Sequence, residues 1–272
     1  MIVDFLKKIG THLYEKKFFY LFIIMLISIY FLTQNKKIKK IVVFDLDETL
    51  GHFGELSVFC RAMEQFTQKK LLDENYYYIF DRCFEYFRPN IIKCLDFLKT
   101  QKQNGQCHKV IIYTNNNGEK KWSLLIKNYI EKKLNYPLFD QVIAAYKINN
   151  KVIEPLRTTH EKTYQDLIRC IGEDDAQICF IDDLDHPKMK HSKVFYIQCP
   201  AYIINIPNSV FAKRIFEKNE VQKKFFELLQ KINPQQNIIK KNDRSNIFKY
   251  IQQFMSDEPI PENFVKMDSI LV

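Results

Sequence analysis

Apolar runs alternate with stretches of helical periodicity from about residue 40 to residue 205. Ile41 to Phe44 is an unbroken apolar run closed by Asp45 and a polar turn, the pattern of a strand buried on both faces of a parallel sheet. KVIIYTNNNG, from Lys109 to Gly118, repeats that pattern and ends in Thr and Asn. Glu119 to Asn135 follow with Trp122, Leu125, Ile126, Tyr129, Ile130 and Leu134 at helical spacing, which predicts a helix with Trp122 in the core rather than in a binding site. QVIAAY from Gln141 predicts a third strand. The next helix is expected to open at Thr158, with Glu161 at capping-box spacing, and to stop at Gly172. AQICFIDD, Ala176 to Asp183, and KVFYIQC from Lys193 predict the fourth and fifth strands. Strands that alternate with helices predict a doubly wound, Rossmann-like parallel α/β sheet.

The flanks read differently. Residues 1–17 form a short N-terminal segment, and Phe18 to Leu32 carries no charge, with an uncharged stretch that continues through Asn35. Its apolar part is shorter than a hydrocarbon core of roughly 30 Å, but lysines at both ends can snorkel. It is apolar on every side and lacks a small-x-small cleavage site, so residues 18–35 are expected to be a transmembrane anchor rather than a surface helix or a signal peptide. Lys36, Lys37, Lys39 and Lys40 follow it, and the positive-inside rule then places the globular part, residues 36–207, in the cytosol as a single-pass membrane protein. After Pro207, residues 208–272 form a helical extension. It has helical patterning from Val210 to Ile232, a polar NPQQNIIKKNDRSN linker and one more short helix.

Composition changes the picture little. A formal charge of +9 would suit an anionic partner, but the lysines are scattered and no zinc-finger, RNP or basic-helix pattern accompanies them, so nucleic acid is not the expected partner. The seven cysteines form no CxxC pair and read as reduced core residues. NYYYIFDRCFEYFRP, from Asn75, reads as core beneath an insertion, with the wall of a substrate groove as the second reading. His52, His160 and His186 have no metal-site spacing.

The candidate chemistry lies at the strand ends. Asp45 and Asp47, two residues apart on extended backbone, face one volume, and parallel strands bring Asp45, Asp47, Thr114, Asp182 and Asp183 to the same carboxyl edge. Several carboxylates around one hydroxyl make a hard oxygen cage suited to Mg²⁺.

DLDET at Asp45 to Thr49, YTNN at Tyr113 to Asn116 and FIDD at Phe180 to Asp183 resemble the motifs of the haloacid dehalogenase superfamily. FRPN at Phe87 to Asn90, and the little room left for a cap, resemble its FCP/SCP phosphatases. That resemblance spans about residues 40 to 205. It implies Asp45 as the nucleophile that becomes an aspartyl phosphate, Asp47 as general acid and base, Thr114 as a holder of phosphoryl oxygens, and Thr49 and Asn115 as substrate-binding. It also implies Mg²⁺ held by Asp45, the Asp47 carbonyl and an acid from the fourth strand, either Asp182 or Asp183. Close relatives carry a Lys where this chain has Gln165, so Lys162 is the expected active-site cation, with Lys147, Lys151 and Arg157 as rivals. The implied activity is hydrolysis of phosphoserine or phosphothreonine in proteins. Two other readings stay open: a phosphatase of a nucleotide, polynucleotide end or small metabolite, and an anchored scaffold of the same fold without catalysis.

Overall fold

The computed structural model describes residues 16–17, 19–25, 38–116, 120–234, 246–256 and 264–266, and the chain divides into two compact units, Met1–Ile38 and Lys39–Val272. In the first unit, residues 16–17 and 19–25 are helical and largely exposed. The rest of the expected anchor, residues 18 and 26–35, lies outside the described residues. Among the described residues no helix is long and apolar enough to cross a membrane.

The second unit is built on a six-stranded sheet. Its strands are β1 (Lys40–Phe44), β2 (Lys109–Tyr113), β3 (Gln141–Ile143), β6 (Gln177–Asp182), β7 (Val194–Gln198) and β8 (Phe264–Lys266). The order is β3-β2-β1-β6-β7-β8 and every pairing is parallel. β4 (Lys147–Ile148) and β5 (Lys151–Val152) form a separate small hairpin. Its turn residues Asn149 and Asn150 take φ of 49° and 62°, the left-handed backbone that two-residue hairpins require and Asn tolerates.

Alternation along β1 explains the layers. Val42 and Phe44 face one side, with α1 (Phe53–Thr67), α2 (Asp73–Arg82), α3 (Ile91–Gln103), α4 (Lys120–Leu134) and the C-terminal helices α6 (Asn208–Ile215), α7 (Asn219–Ile232) and α8 (Ile247–Met255). Ile41 and Val43 face the other, where Leu167, Cys170 and Ile171 of α5 (Tyr164–Ile171) cover them. Helices therefore lie on both faces, most of them on one. β1 is buried on both sides between β2 and β6, which is why its sequence lacks a polar alternate.

Three sequence expectations differ from the structure. The third strand stops at Ile143. The helix expected from Thr158 begins at Tyr164, capped by Thr163, whose Oγ1 accepts from the Asp166 amide at 3.1 Å. Thr158 instead donates through its amide (3.0 Å) and its hydroxyl (2.9 Å) to the Asp166 carboxylate, which holds residues 158–162 as a loop. Thr163 and Asp166 repeat the spacing of Thr158 and Glu161, so spacing alone could not choose between them. The patterning from Val210 to Ile232 is two helices, with a break that lets the Phe216 ring pack 5.4 Å from Phe66 and 5.1 Å from Phe225. The polar linker falls largely outside the described residues. The strand β8 had no counterpart in the sequence reading.

At the opposite edge of the sheet from the carboxyl ends, Glu173 gathers Lys39 (2.8 Å), Lys109 (2.5 Å) and His108 (3.0 Å). Hydrogen bonds from Lys109 and Lys39 pull its carboxyl down to about 2. A carboxylate whose folded value is depressed contributes stability above its unfolded value, near 4.5, and loses it as pH falls toward 2. Glu173→Gln is therefore expected to lower unfolding free energy at pH 7 by about 1 kcal/mol, kept small by solvent screening. Urea titrations should find that deficit shrinking between pH 4.5 and 2; a deficit that does not change with pH would contradict it.

Candidate active site

Registers place the motif residues side by side. Phe44 pairs with Ile112 on one flank and Ile181 on the other, so Asp45, just past β1, stands between the ends of β2 and β6. Its amide donates to the Ile181 carbonyl at 2.9 Å, which extends the ladder by one bond and fixes its direction. Strand order turns in opposite directions from β1 and β6, and the crevice at such a switch point is where open α/β sheets bind ligands.

Lys162 enters this crevice from the loop before α5, almost fully buried. Its Nζ donates to Asp45 Oδ1 and, at 2.7 Å, to Asp182 Oδ2. Of the four cations weighed from sequence, Lys162 is the one whose Nζ meets Asp45. Lys147 and Lys151 sit on the β4–β5 hairpin, with Lys147 over the Tyr146 ring. Arg157 serves the backbone: its guanidinium donates to the Thr114 (3.2 Å), Ala144 (2.8 Å), His160 (3.1 Å) and Glu161 (3.3 Å) carbonyls and to Asn115 Oδ1 (2.7 Å). It ties the end of β2 to the loop that carries Lys162.

Asp45, Asp182 and Asp183 each offer a carboxylate oxygen within 4.8 Å of the others. Burial pushes the Asp45 carboxyl well up, helped by the Asp182 charge and opposed by Lys162. Burial acts on Asp182 in the same direction, but Lys162 and His186 outweigh it and hold that group below the usual range. Asp183 is raised by burial and by Asp182. One ammonium thus faces three carboxylates, a charge deficit that a divalent cation would fill, and the all-oxygen donor set suits a hard ion such as Mg²⁺. Both Asp182 oxygens already have partners, Lys162 on one and the Leu184 amide (2.9 Å) on the other. Asp183 accepts a long 3.4 Å bond from Thr49 Oγ1 and has no ion pair with Lys162 among the described residues.

Asp47 accepts from Asn116 Nδ2 at 2.6 Å through Oδ2, while its buried Oδ1 has no hydrogen-bond partner among the described residues. Burial raises its carboxyl, with Asn116 opposing. Thr114 is buried, and its Oγ1 accepts from the amide of the same Asn116 at 2.9 Å. Asn115, expected to bind substrate, has its side-chain oxygen on Arg157, whereas its neighbour Asn116 orients Asp47.

Three further residues shape the site without standing out in the sequence reading. Arg88, within FRPN, is buried and donates to the Thr49 (2.6 Å), Glu48 (2.5 Å) and Pro200 (2.7 Å) carbonyls, so it clamps the turn after Asp47. Glu48 takes φ of 57° in that turn, and its carboxyl is pushed up to about 7 by burial and by the charges of Asp47 and Asp183. Gly51 ends the turn because a Cβ there would lie 2.6 Å from the Phe53 ring and closer still to the Tyr86 carbonyl.

No protein-family model matches the chain, and no curated protein matches it. Among solved structures the chain is similar to the fission yeast RNA polymerase II CTD phosphatase Fcp1, determined as a variant bound to beryllium fluoride. Identity is 16% and the TM-score 0.40; the match covers 84% of this chain and 64% of that one.

Proposed function

We propose that this chain is a metal-dependent phosphatase of haloacid dehalogenase type, working through an aspartyl phosphate on phosphoserine or phosphothreonine in proteins. The observation that carries the reading is the placement of Lys162 on both Asp45 and Asp182, with Asp47 holding a buried carboxylate oxygen that has no partner among the described residues. An anionic nucleophile approaching an anionic phosphate needs concentrated positive charge, and the buried ammonium supplies part of it where dielectric screening is weak.

Asp45 forms the new oxygen–phosphorus bond through the carboxylate oxygen not engaged by Lys162. The bond to the leaving alkoxide breaks as Asp47 delivers its proton, and the burial that raises the Asp47 carboxyl favours the protonated form this step needs. Asp47 then takes a proton from the water that attacks phosphorus, releasing inorganic phosphate and restoring Asp45. Asn116 fixes the rotamer of Asp47 for both transfers. Thr114 and nearby amides receive the phosphoryl oxygens. Asp45, Asp183 and the Asp47 carbonyl would hold Mg²⁺, with Asp182 orienting Lys162; the bound ion neutralises charge between nucleophile and phosphate. The uncharged segment 18–35 supports a tether to a membrane, with the phosphatase unit facing the cytosol.

Phosphate release from p-nitrophenyl phosphate, with Mg²⁺ or with chelator, tests the class. Release that requires the metal is expected, followed by turnover of phosphoserine peptides above that of a 5′-phosphorylated oligonucleotide. A folded, metal-loaded chain that releases nothing would sink the enzymatic reading, and a preference for the oligonucleotide would sink the protein substrate.

A further inference from the structure

A cavity of about 820 Å³ opens between α1 and α4, and Asn116 is part of its wall. Because Asn116 Nδ2 also donates to Asp47 at 2.6 Å, the cavity starts one side chain away from the proton-transferring carboxylate. Its floor is apolar and aromatic. Leu125 is buried there, and Trp122 is half-buried, held edge-on by Phe80 (5.7 Å) and Tyr76 (6.2 Å). Trp122, read from sequence as core, thus lies at the edge of the core with a face in the cavity.

The rim is basic. Arg61, Lys70 and Lys121 are exposed around it, against one acid, Glu64. Glu64 is already engaged, accepting from Lys70 (3.1 Å), the Leu71 amide (3.0 Å) and the Tyr76 hydroxyl (3.3 Å). No carboxylate among the described residues forms an ion pair with Arg61 or Lys121. An aromatic floor beneath Arg61 and Lys121, neither ion-paired among the described residues, suits one ligand chemistry: an apolar side chain flanked by carboxylates.

We infer that this cavity seats the peptide segment flanking the phosphorylated residue, and that it selects acidic segments bearing an aromatic or aliphatic anchor. The inference rests on the phosphatase reading for what lies next door, but its own test does not require turnover. Trp122 is the single tryptophan of the chain, so its emission reports occupancy directly.

The full chain is titrated with an unphosphorylated Glu-Phe-Ser-Glu-Glu peptide and with its Lys-flanked counterpart, following Trp122 fluorescence. A saturating change with the acidic peptide only is expected, weakened about tenfold by Arg61→Glu with Lys121→Glu and not by Lys223→Glu with Lys224→Glu on α7. No emission change, equal response to both peptides, equal weakening by the two variants, or a stronger response to a single-stranded oligonucleotide would each overturn it. Emission changes without any phosphate release would leave the cavity standing and remove the phosphatase. Turnover indifferent to flanking charge, with silent emission, would do the reverse.

Discussion

Lys162→Met should cost the fold about 3–5 kcal/mol in chelator and slow phosphate release by about 10²–10³-fold. The size follows from what the substitution leaves behind. Lys162 is almost fully buried and holds Asp45 and Asp182 together; without it two carboxylates share one buried crevice, with Asp183 beside them. Removing one partner of a buried ion pair strands the other, which is far costlier than never having had the pair. Methionine keeps the volume, so the loss reports charge rather than a cavity. Added Mg²⁺ should return part of the stability, since a cation bound among the acids replaces some of the missing charge. Denaturant midpoints measured with and without the metal decide the matter. An unchanged midpoint in chelator would mean that Lys162 is not the counter-charge of this site.

Asp45→Asn should reduce turnover by about 10⁴-fold or more and leave the fold intact or slightly firmer. An amide cannot form the acyl phosphate, so the covalent route is closed while the shape of the side chain is kept. Stability moves the other way because burial and the Asp182 charge already disfavour the ionised form of Asp45. With Asp45 neutral, Lys162 and Asp182 make a one-to-one pair. Thermal midpoints in chelator that are equal to or above wild type, together with lost activity, are the expected pair of results. A variant that unfolds at a much lower temperature would show that Asp45 serves the fold, and retained turnover would exclude it as the nucleophile.

Much of the architecture could be read before any coordinates. Buried strands of a parallel sheet carry their signature in unbroken apolar runs, because both faces are covered and no polar alternate is tolerated. Ile41 to Phe44, Val110 to Tyr113 and Ile178 to Ile181 are of this kind, and each is followed at once by a residue of the site. The strand β8 and the β4–β5 hairpin escaped notice because two or three residues are too few for a period to appear.

The sequence by itself determined that Asp45, Asp47, Thr114, Asp182 and Asp183 would gather at one edge, since strand ends in a parallel sheet converge whatever the details of packing. It left four cations as rivals, put the helix start at Thr158 and assigned Asn115 to the substrate. The tertiary structure chose Lys162 among the cations, moved the cap to Thr163 and put Asn116 on Asp47. Lys162 reaches Asp45 because Asp166 binds Thr158 and Thr163 caps the helix, which holds the loop between them out of the helix. Arg157 is turned away onto carbonyls, and Asn116, not Asn115, meets Asp47. Such choices depend on hydrogen bonds between residues as far apart in sequence as Asn116 and Asp47, and local patterns carry no information about which distant partner a polar side chain will find.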